Sequence, residues 1–272
     1  MALNQEIHGP APWEGAVGRH GPFQRVAVLS DVHANVPALM AVLDEVEREA
    51  AELVVFCGDL TWGAEPERTV QAVRSLGRRT PYLCLRGNSE RAVIDMARGT
   101  RSPGRPREYW MVAQHTPAVV EFVAAFPFSA IVEITGLGPV RFCHGSPRSD
   151  TELVTPGTPE DRFTRLCADV EEQVLVTGHT HLQFDRMVAG RRSINPGSVG
   201  LPHHDGRPGT AYWAMLGSDD VELRQTRYDV AEALAAGPRL GDPAADAIAG
   251  LLNSPPSPAE IIEEAEELVF SD

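Results

Sequence analysis

Cysteine is scarce: four occur in 272 residues, Cys57, Cys84, Cys143 and Cys167, and none forms a C-x-x-C pair. The first three sit inside apolar, strand-like runs, which suits buried thiols kept reduced in a reducing cytosol. Long apolar runs are missing too. No stretch approaches the roughly 18 uncharged residues that a membrane span requires. The opening MALNQEIHGPAPWEGAVGRHGPF lacks a basic region followed by an apolar one, so no secretory signal is expected and the chain reads as soluble and cytoplasmic. Basic residues are outnumbered, 24 against 38 acidic, for a net charge of −14. That argues against a sequence-independent grip on duplex nucleic acid. It leaves room for a small phosphorylated substrate, because bound divalent cations would reverse the local field. No internal repeat of about 20–50 residues is visible. What remains is an ordinary globular composition, 43% apolar and 23% charged, at a length that suits one large α/β domain or two small ones.

Residues 1–24 carry Pro, Gly and His without apolar periodicity and read as a mobile leader. Arg25 to Ser30 is a short apolar run halted by Asp31, as expected of a strand buried on both faces. A helix follows, with Asn35 as its cap, Pro37 in its first turn and an apolar stripe at Leu39, Val42, Leu43, Val46 and Ala50. The pattern repeats: a strand from Leu53 to Cys57 ends at Gly58-Asp59, and a helix opens at Pro66 and stops at Gly77. A third strand, Pro81 to Leu85, then ends at Arg86-Gly87-Asn88. Three such units predict right-handed crossovers and a largely parallel first sheet.

Residues 89–127 read as a Pro/Gly/Arg-rich loop followed by helical material. Ala130 to Ile134 and Val140 to Cys143 read as a hairpin, and Val174 to Thr177 as a strand ending at Gly178-His179. Short segments around 192–194, 211–216 and 221–228 favour an antiparallel second sheet. Residues 254–272 form a Pro-rich linker and a helix, with Ser257 and Glu260 as a capping box and Ile261, Ile262, Ala265, Leu268 and Val269 on one face. Docking of that face onto the parent domain, and a dimer or partner contact, are both open. The domain proper is 25–253.

Five short motifs each follow an apolar strand: Asp31-Val-His33, Gly58-Asp59, Gly87-Asn88, His144-Gly145 and Gly178-His179-Thr-His181. Strand ends of an open α/β sheet converge on one crevice, so side chains far apart in sequence can meet there. Nitrogen and oxygen donors without thiolates suit Mn, Fe, Co, Ni or Zn better than Ca or Mg. Seven ligands exceed what one catalytic ion can use while keeping open positions. Two ions sharing one carboxylate use seven well, and such pairs act on phosphoryl groups with an acidified water as nucleophile.

In this order the motifs resemble those of the calcineurin-like metallophosphoesterase superfamily, over residues 26–201. The resemblance implies a four-layer α/β/β/α sandwich of two mixed sheets flanked by helices, with the metals at one edge. It implies that Asp31, His33, Asp59 and His181 hold one divalent ion, manganese foremost. Asp59 as bridge, Asn88, His144 and His179 would hold the other, with Asp59, Asn88 and His144 central to catalysis by a metal-bridging hydroxide. Ser30 to Asn35 together with Ile194 to Pro202 is similar to small bacterial and archaeal single-domain phosphodiesterases. Residues 89–127 would then be a partial cap over the site.

One departure stands out: Ser89 occupies the place where many members of the superfamily carry a histidine that protonates the leaving group. A serine hydroxyl is too weak an acid for that near neutral pH. Nucleotide, aryl or anhydride leaving groups are therefore favoured over alkyl ones. Asn35, Arg86, Ser89, His203 and His204 are candidate substrate contacts. For Asn35 the competing role is helix capping, for Arg86 a surface ion pair, and for the two histidines a place on the loop surface. The expected partner is a small, nucleotide-like phosphoester, with no membrane and with a homo-oligomer open. Hydrolysis of diadenosine tetraphosphate or of a phosphoprotein by the same centre is an alternative. So is a metal-binding interaction scaffold, the role a retromer subunit gives this fold.

Overall fold

The computed structural model describes residues 17–217 and 220–268. The first 16 residues of the expected leader, and Val269 on the last helical face, lie outside them.

Eleven strands among the described residues form two sheets. In the first, β2 (Arg25–Leu29), β3 (Leu53–Phe56) and β4 (Tyr82–Cys84) run parallel, joined by α1 (Val36–Arg48) and α2 (Pro66–Leu76). All four residues of β3 are buried, as expected of a strand covered on both faces. Asn35 caps α1 by accepting from Ala38 N at 3.2 Å. The helix stops before Ala50, whose φ of 51° places it in a left-handed turn, so the expected stripe is one residue too long.

The second sheet has the order β1-β5-β6-β7-β9-β8. It comprises β1 (Gly18–Phe23), β5 (Ser129–Ile134), β6 (Gly138–Cys143), β7 (Val174–Val176), β8 (Gln183–Val188) and β9 (Arg191–Pro196). It is mixed, not antiparallel: β1–β5, β6–β7 and β7–β9 pair parallel, while β5–β6 and β8–β9 pair antiparallel. The strands expected around 211–216 and 221–228, β10 (Thr210–Gly217) and β11 (Val221–Arg227), belong to the first sheet instead. There β10 lies antiparallel to β2. The leader also ends earlier than expected. Gly18–Phe23 is a strand whose side chains are almost all exposed, held by backbone pairing to β5.

Three apolar layers tie the sandwich together. Val26, Val28 and Val55 of one sheet meet Val132, Phe142 and Val176 of the other. Leu39, Val42, Val73, Val123 and Trp213 fill the space between the first sheet and its helices. On the far side, Phe163 and Leu166 of α6 (Glu160–Leu166) pack with Leu175, Phe184 and the Ile261 and Ile262 side chains of α9 (Pro258–Glu266). Glu266 of α9 accepts from Thr155 Oγ1 at 2.7 Å and Thr158 Oγ1 at 3.0 Å, so this helix docks onto the body of the protein.

The segment 89–127 is α3 (Asn88–Ala97), α4 (Pro106–Gln114) and α5 (Pro117–Ala124). Ile94, Val123 and Phe126 are part of the core on the first sheet, so much of this segment is helix layer and not cap. A second helical pair, α7 (Val230–Leu240) and α8 (Ala245–Asn253), follows β11. Among the described residues no helix is long and apolar enough to cross a membrane.

Candidate metal centre

Register places the motifs together. Leu29 pairs with Phe56 and Phe56 with Cys84, so the turns carrying Asp31, Asp59 and Asn88 leave the first sheet side by side. Phe142 pairs with Val176 and Val176 with Ile194, so His144 and the His179–His181 turn leave the second sheet beside each other. The two edges meet where His144 Nδ1 donates to Cys57 O at 2.7 Å and His179 N to Asp31 Oδ2 at 3.1 Å. Asp31, His33, Asp59, His179 and His181 all have φ between 48° and 66°. Five non-glycine residues in the left-handed region is strain of the kind that persists where surrounding structure enforces it, typically at functional sites. Gly87 is required by crowding: a Cβ there would lie 2.2 Å from Asp59 Oδ1.

Two clusters of possible ligands result, Asp31-His33-His181 and Asp59-His144-His179. Asp59 sits between them, with Oδ2 3.8 Å from His33 Nε2 and Oδ1 3.4 Å from His144 Nε2. Asn88 Oδ1 lies 3.0 Å from His144 Nε2. All seven residues that the motifs single out are thus brought to one pocket.

The chemistry of the donors fits a cation. A carbonyl oxygen can only accept, so the ring nitrogen facing it must donate. Nδ1 of His33 meets Trp62 O at 3.3 Å, that of His144 meets Cys57 O at 2.7 Å and that of His181 meets Leu201 O at 2.6 Å. Each neutral ring therefore turns an Nε2 lone pair into the pocket, the usual arrangement behind a metal-bound imidazole. His33 and His181 do so toward each other at 3.1 Å. Asp31 Oδ1 is buried without a hydrogen bond although His181 Nε2 is 3.2 Å away. Lone pairs and a carboxylate converging this closely call for positive charge, which a proton on His181 or a bound cation supplies.

The proton affinities carry the same imprint. Burial pushes Asp31 up, but the His181, His144 and His33 rings outweigh it and hold the carboxyl well below its usual range. Asp59 is lowered likewise, burial being outweighed by His144 and His33. Burial and the neighbouring His181 bring His33 down to about 4, and burial and His144 do the same to His179. Against burial, Asp59 and Asp31 raise His144, and Asp31 raises His181.

The substrate candidates separate. Ser89 is turned inward: its hydroxyl donates to Asp59 Oδ2 at 2.7 Å and its N–H to Asp59 Oδ1 at 3.0 Å, so it orients that carboxylate. Asn35 Oδ1 caps α1, and its Nδ2 donates to Gly200 O at 3.0 Å and Tyr228 Oη at 3.3 Å, the capping role and not a phosphate contact. Arg86 lays its guanidinium over the Phe128 ring at 6.0 Å. His203 reaches the site, stacked on His181 with ring centroids 5.0 Å apart. His204 packs instead on Tyr212 and accepts from Gly206 N at 2.9 Å.

Sequence reasoning missed Glu90. Fully buried, it accepts from the N–H groups of Gly87, Asp59, Leu60 and Thr61 at 2.8–3.3 Å, stapling the second motif to the third. Burial and Asp59 push its carboxyl up to about 7. Its signal was its place three residues after Gly87, the capping-box position of α3. The outer carbonyls of Cys57, Trp62 and Leu201 carry no side-chain signal at all.

Comparison with known proteins agrees with this geometry. Residues 25–217 match the family model of the calcineurin-like phosphoesterase superfamily domain. An uncharacterized protein of Methanocaldococcus jannaschii is 27% identical over 233 residues, covering 76% of this chain and 89% of that protein. The fold is similar to that of a hypothetical protein from Pyrococcus horikoshii OT3, with a TM-score of 0.71, 18% identity, and coverage of 86% and 99% of the two chains. It is also similar to a metallophosphoesterase from Sphaerobacter thermophilus, with a TM-score of 0.66, 24% identity, and coverage of 85% and 98%.

Proposed function

The chain belongs to the calcineurin-like phosphoesterase superfamily, and from that premise we propose that it is a two-metal phosphoesterase acting on phosphodiester or nucleotide-type phosphate bonds. The observation that carries this reading is the position of Asp59, within 4 Å of an imidazole Nε2 from each cluster. One carboxylate set between two nitrogen-rich clusters suits a pair of ions sharing a ligand. Asp31, His33, Asp59 and His181 would hold one, and Asp59, Asn88, His144 and His179 the other, manganese being the first candidate for both. When bound, such a pair supplies an acidified water as nucleophile and positive charge opposite the phosphoryl oxygens.

The chain's own residues set the limits of that chemistry. Ser89 Oγ is engaged with Asp59 and does not face a leaving group. His203 donates its Nδ1–H to Thr180 O at 3.0 Å. Burial and the neighbouring His181 bring its proton affinity down to about 3, so it is neutral near pH 7 and has no proton to offer from Nε2. Neither residue can protonate an alkoxide, which favours leaving groups that depart as stable anions.

The test is metal analysis combined with hydrolysis of bis(p-nitrophenyl) phosphate by the wild-type chain and an Asp59→Asn variant. Two ions per chain, with turnover lost in the variant, is the expected result. A chain that binds no metal and turns over nothing would overturn the reading in favour of an interaction scaffold. A panel of nucleotides, dinucleoside polyphosphates and phosphopeptides then ranks the substrates.

A further inference from the structure

We propose that the α7–α8 pair is a brace that positions His33 and His181, and so sets the affinity for one of the two ions without contacting it. This rests on the two-metal reading and adds to it a means by which residues beyond the family domain tune one site. The argument starts from what stands behind each imidazole. His33 Nδ1 is backed by Trp62 O at 3.3 Å and His181 Nδ1 by Leu201 O at 2.6 Å. Neither Trp62 nor Leu201 belongs to a strand or helix, and both are partly exposed. On the side of the other ion, His144 is backed differently. Its Nδ1 meets Cys57 O at 2.7 Å, and Cys57 is fixed in the apolar layer between the two sheets.

The turns that carry Trp62 and Leu201 press on the backbone of the first motif. A Cβ at Gly63 would lie 1.9 Å from His33 O, and one at Gly200 1.9 Å from Val32 O. A shift of either turn therefore moves the ligands. What covers the turns is α7 and α8, which lie beyond residues 25–217. Ala236 of α7 and Leu252 of α8 line, together with Trp62 and Leu201, a space of about 50 Å³. With that space open, close packing alone does not fix the turns. Polar ties at the end of α7 do. Arg239 pairs at 2.6 Å with Glu65, which is buried three residues after Trp62. Just beyond, Asp242 pairs with Arg107 at 3.2 Å, and Leu240 O accepts from Trp110 Nε1 at 3.1 Å. Arg107 and Trp110 belong to α4, and His115 at its end accepts from Thr61 Oγ1 at 3.1 Å. Helices α4 and α7 thus grip the turn at 61–65 and each other.

The experiment titrates Mn²⁺ into the metal-free full chain by calorimetry, with His33→Ala marking which of the two binding steps belongs to His33. Arg239→Met and Arg107→Met cut the two ion pairs and keep most of the side-chain volume. Combined, they are expected to weaken the His33 step about five- to tenfold and to leave the other step unchanged. That is less than the loss of about 10–100-fold typical of removing an outer ligand itself. Arg239→Lys in place of Arg239→Met should restore the part due to that pair. Arg79→Met, which cuts a comparable exposed pair with Glu47 at 2.9 Å, should change neither step. Both steps weakened alike, or a loss that merely follows a lower Tm of the metal-free chain, would show general loosening and overturn the brace. Two unaltered steps would overturn it as well. In each of these cases the wild-type chain still takes two ions, and the two-metal reading stands. A wild-type chain that binds no ion ends that reading and the brace with it.

Discussion

His33 and His181 turn their Nε2 atoms toward each other at 3.1 Å, each ring held from behind by a backbone carbonyl. With both rings neutral and no cation between them, this sets two lone pairs against each other beside a buried carboxylate. The polypeptide maintains it because the Asp31, His33 and His181 turns are fixed by the sandwich itself. Ser198 Oγ donates to Asp31 O at 2.7 Å, and Asn195 Nδ2 donates to Gly178 O at 2.8 Å and Thr180 Oγ1 at 3.0 Å. The end of β9 and the loop after it thus clamp motifs from both sheets.

A preformed site of this kind links metal binding to folding. Metal at about 100 times its dissociation constant should add about 2.7 kcal/mol, which for a domain of this size corresponds to a rise in Tm of about 5–10 °C. Thermal melting of the chelated chain against the Mn²⁺-loaded chain measures it. Identical Tm values would show that the clustered donors bind no metal.

Ser89 orients Asp59 through both its hydroxyl and its N–H. Ser89→Ala removes only the first, and loss of such an outer contact typically costs 10–100-fold in metal affinity or activity. The expected outcome is weaker binding of the ions that share Asp59, with an unchanged melting profile of the chelated chain, and recovery in Ser89→Thr. Metal titration by calorimetry checks it, and an Ala variant with unaltered affinity would show that the hydroxyl is incidental.

The site was far more legible in the sequence than the sheet partners were. Asp31, Asp59, Asn88, His144 and His179 each follow an apolar strand, and strand ends converge whatever the order of the sheet. Membership is different: β10 is buried along seven of its eight residues, which says that it is central but not which sheet it is central to. The strand β1 reads GRHGPF, with no alternation to find, because its side chains face solvent and only its backbone is paired. The α7 helix is Ala-rich with Pro238 inside it, and Ala236 is its one buried residue, so little in it marks a core helix. That is why the α7–α8 pair escaped notice.

Glu90 accepts four backbone N–H groups from two motifs. Each oxygen accepts from two of them, so in Glu90→Gln the oxygen that becomes an NH₂ leaves two buried N–H groups without a partner. At about 1–3 kcal/mol for each orphaned donor, the folded state should be destabilised by about 2–6 kcal/mol. Urea denaturation measures the difference, and a change below about 0.5 kcal/mol would show that the staple is dispensable.

His115 is buried and held neutral, donating Nδ1–H to Met111 O at 2.8 Å and accepting at Nε2 from Thr61 Oγ1 at 3.1 Å. Burial lowers its proton affinity below the ordinary imidazole value. The unfolded chain therefore binds more protons than the folded one as pH falls through about 6.5. The contribution of the neutral ring to stability is complete above that pH and is lost below it. Lowering the pH from about 7.5 to 5.5 should cost the metal-loaded chain more in Tm than it costs His115→Gln, where this linkage is absent. Equal losses would mean that the ring is free to titrate.

Two glycine substitutions are expected to act in opposite directions. A Cβ at Gly87 would come within 2.2 Å of Asp59 Oδ1 and 2.6 Å of Asp59 N, so Gly87→Ala must displace the carboxylate shared by the two clusters. Nothing stands within 4 Å of a Cβ at Gly250, which lies inside α8 with a helical backbone. There alanine removes freedom from the unfolded chain and should stabilise by about 0.5–1 kcal/mol. The expected pair of results is a higher Tm with metal content intact for Gly250→Ala. For Gly87→Ala it is a loss of metal and turnover out of proportion to any loss of stability. Should Gly87→Ala retain both ions, Asp59 would not be the ligand that joins them, and the two-metal reading would lose its central residue.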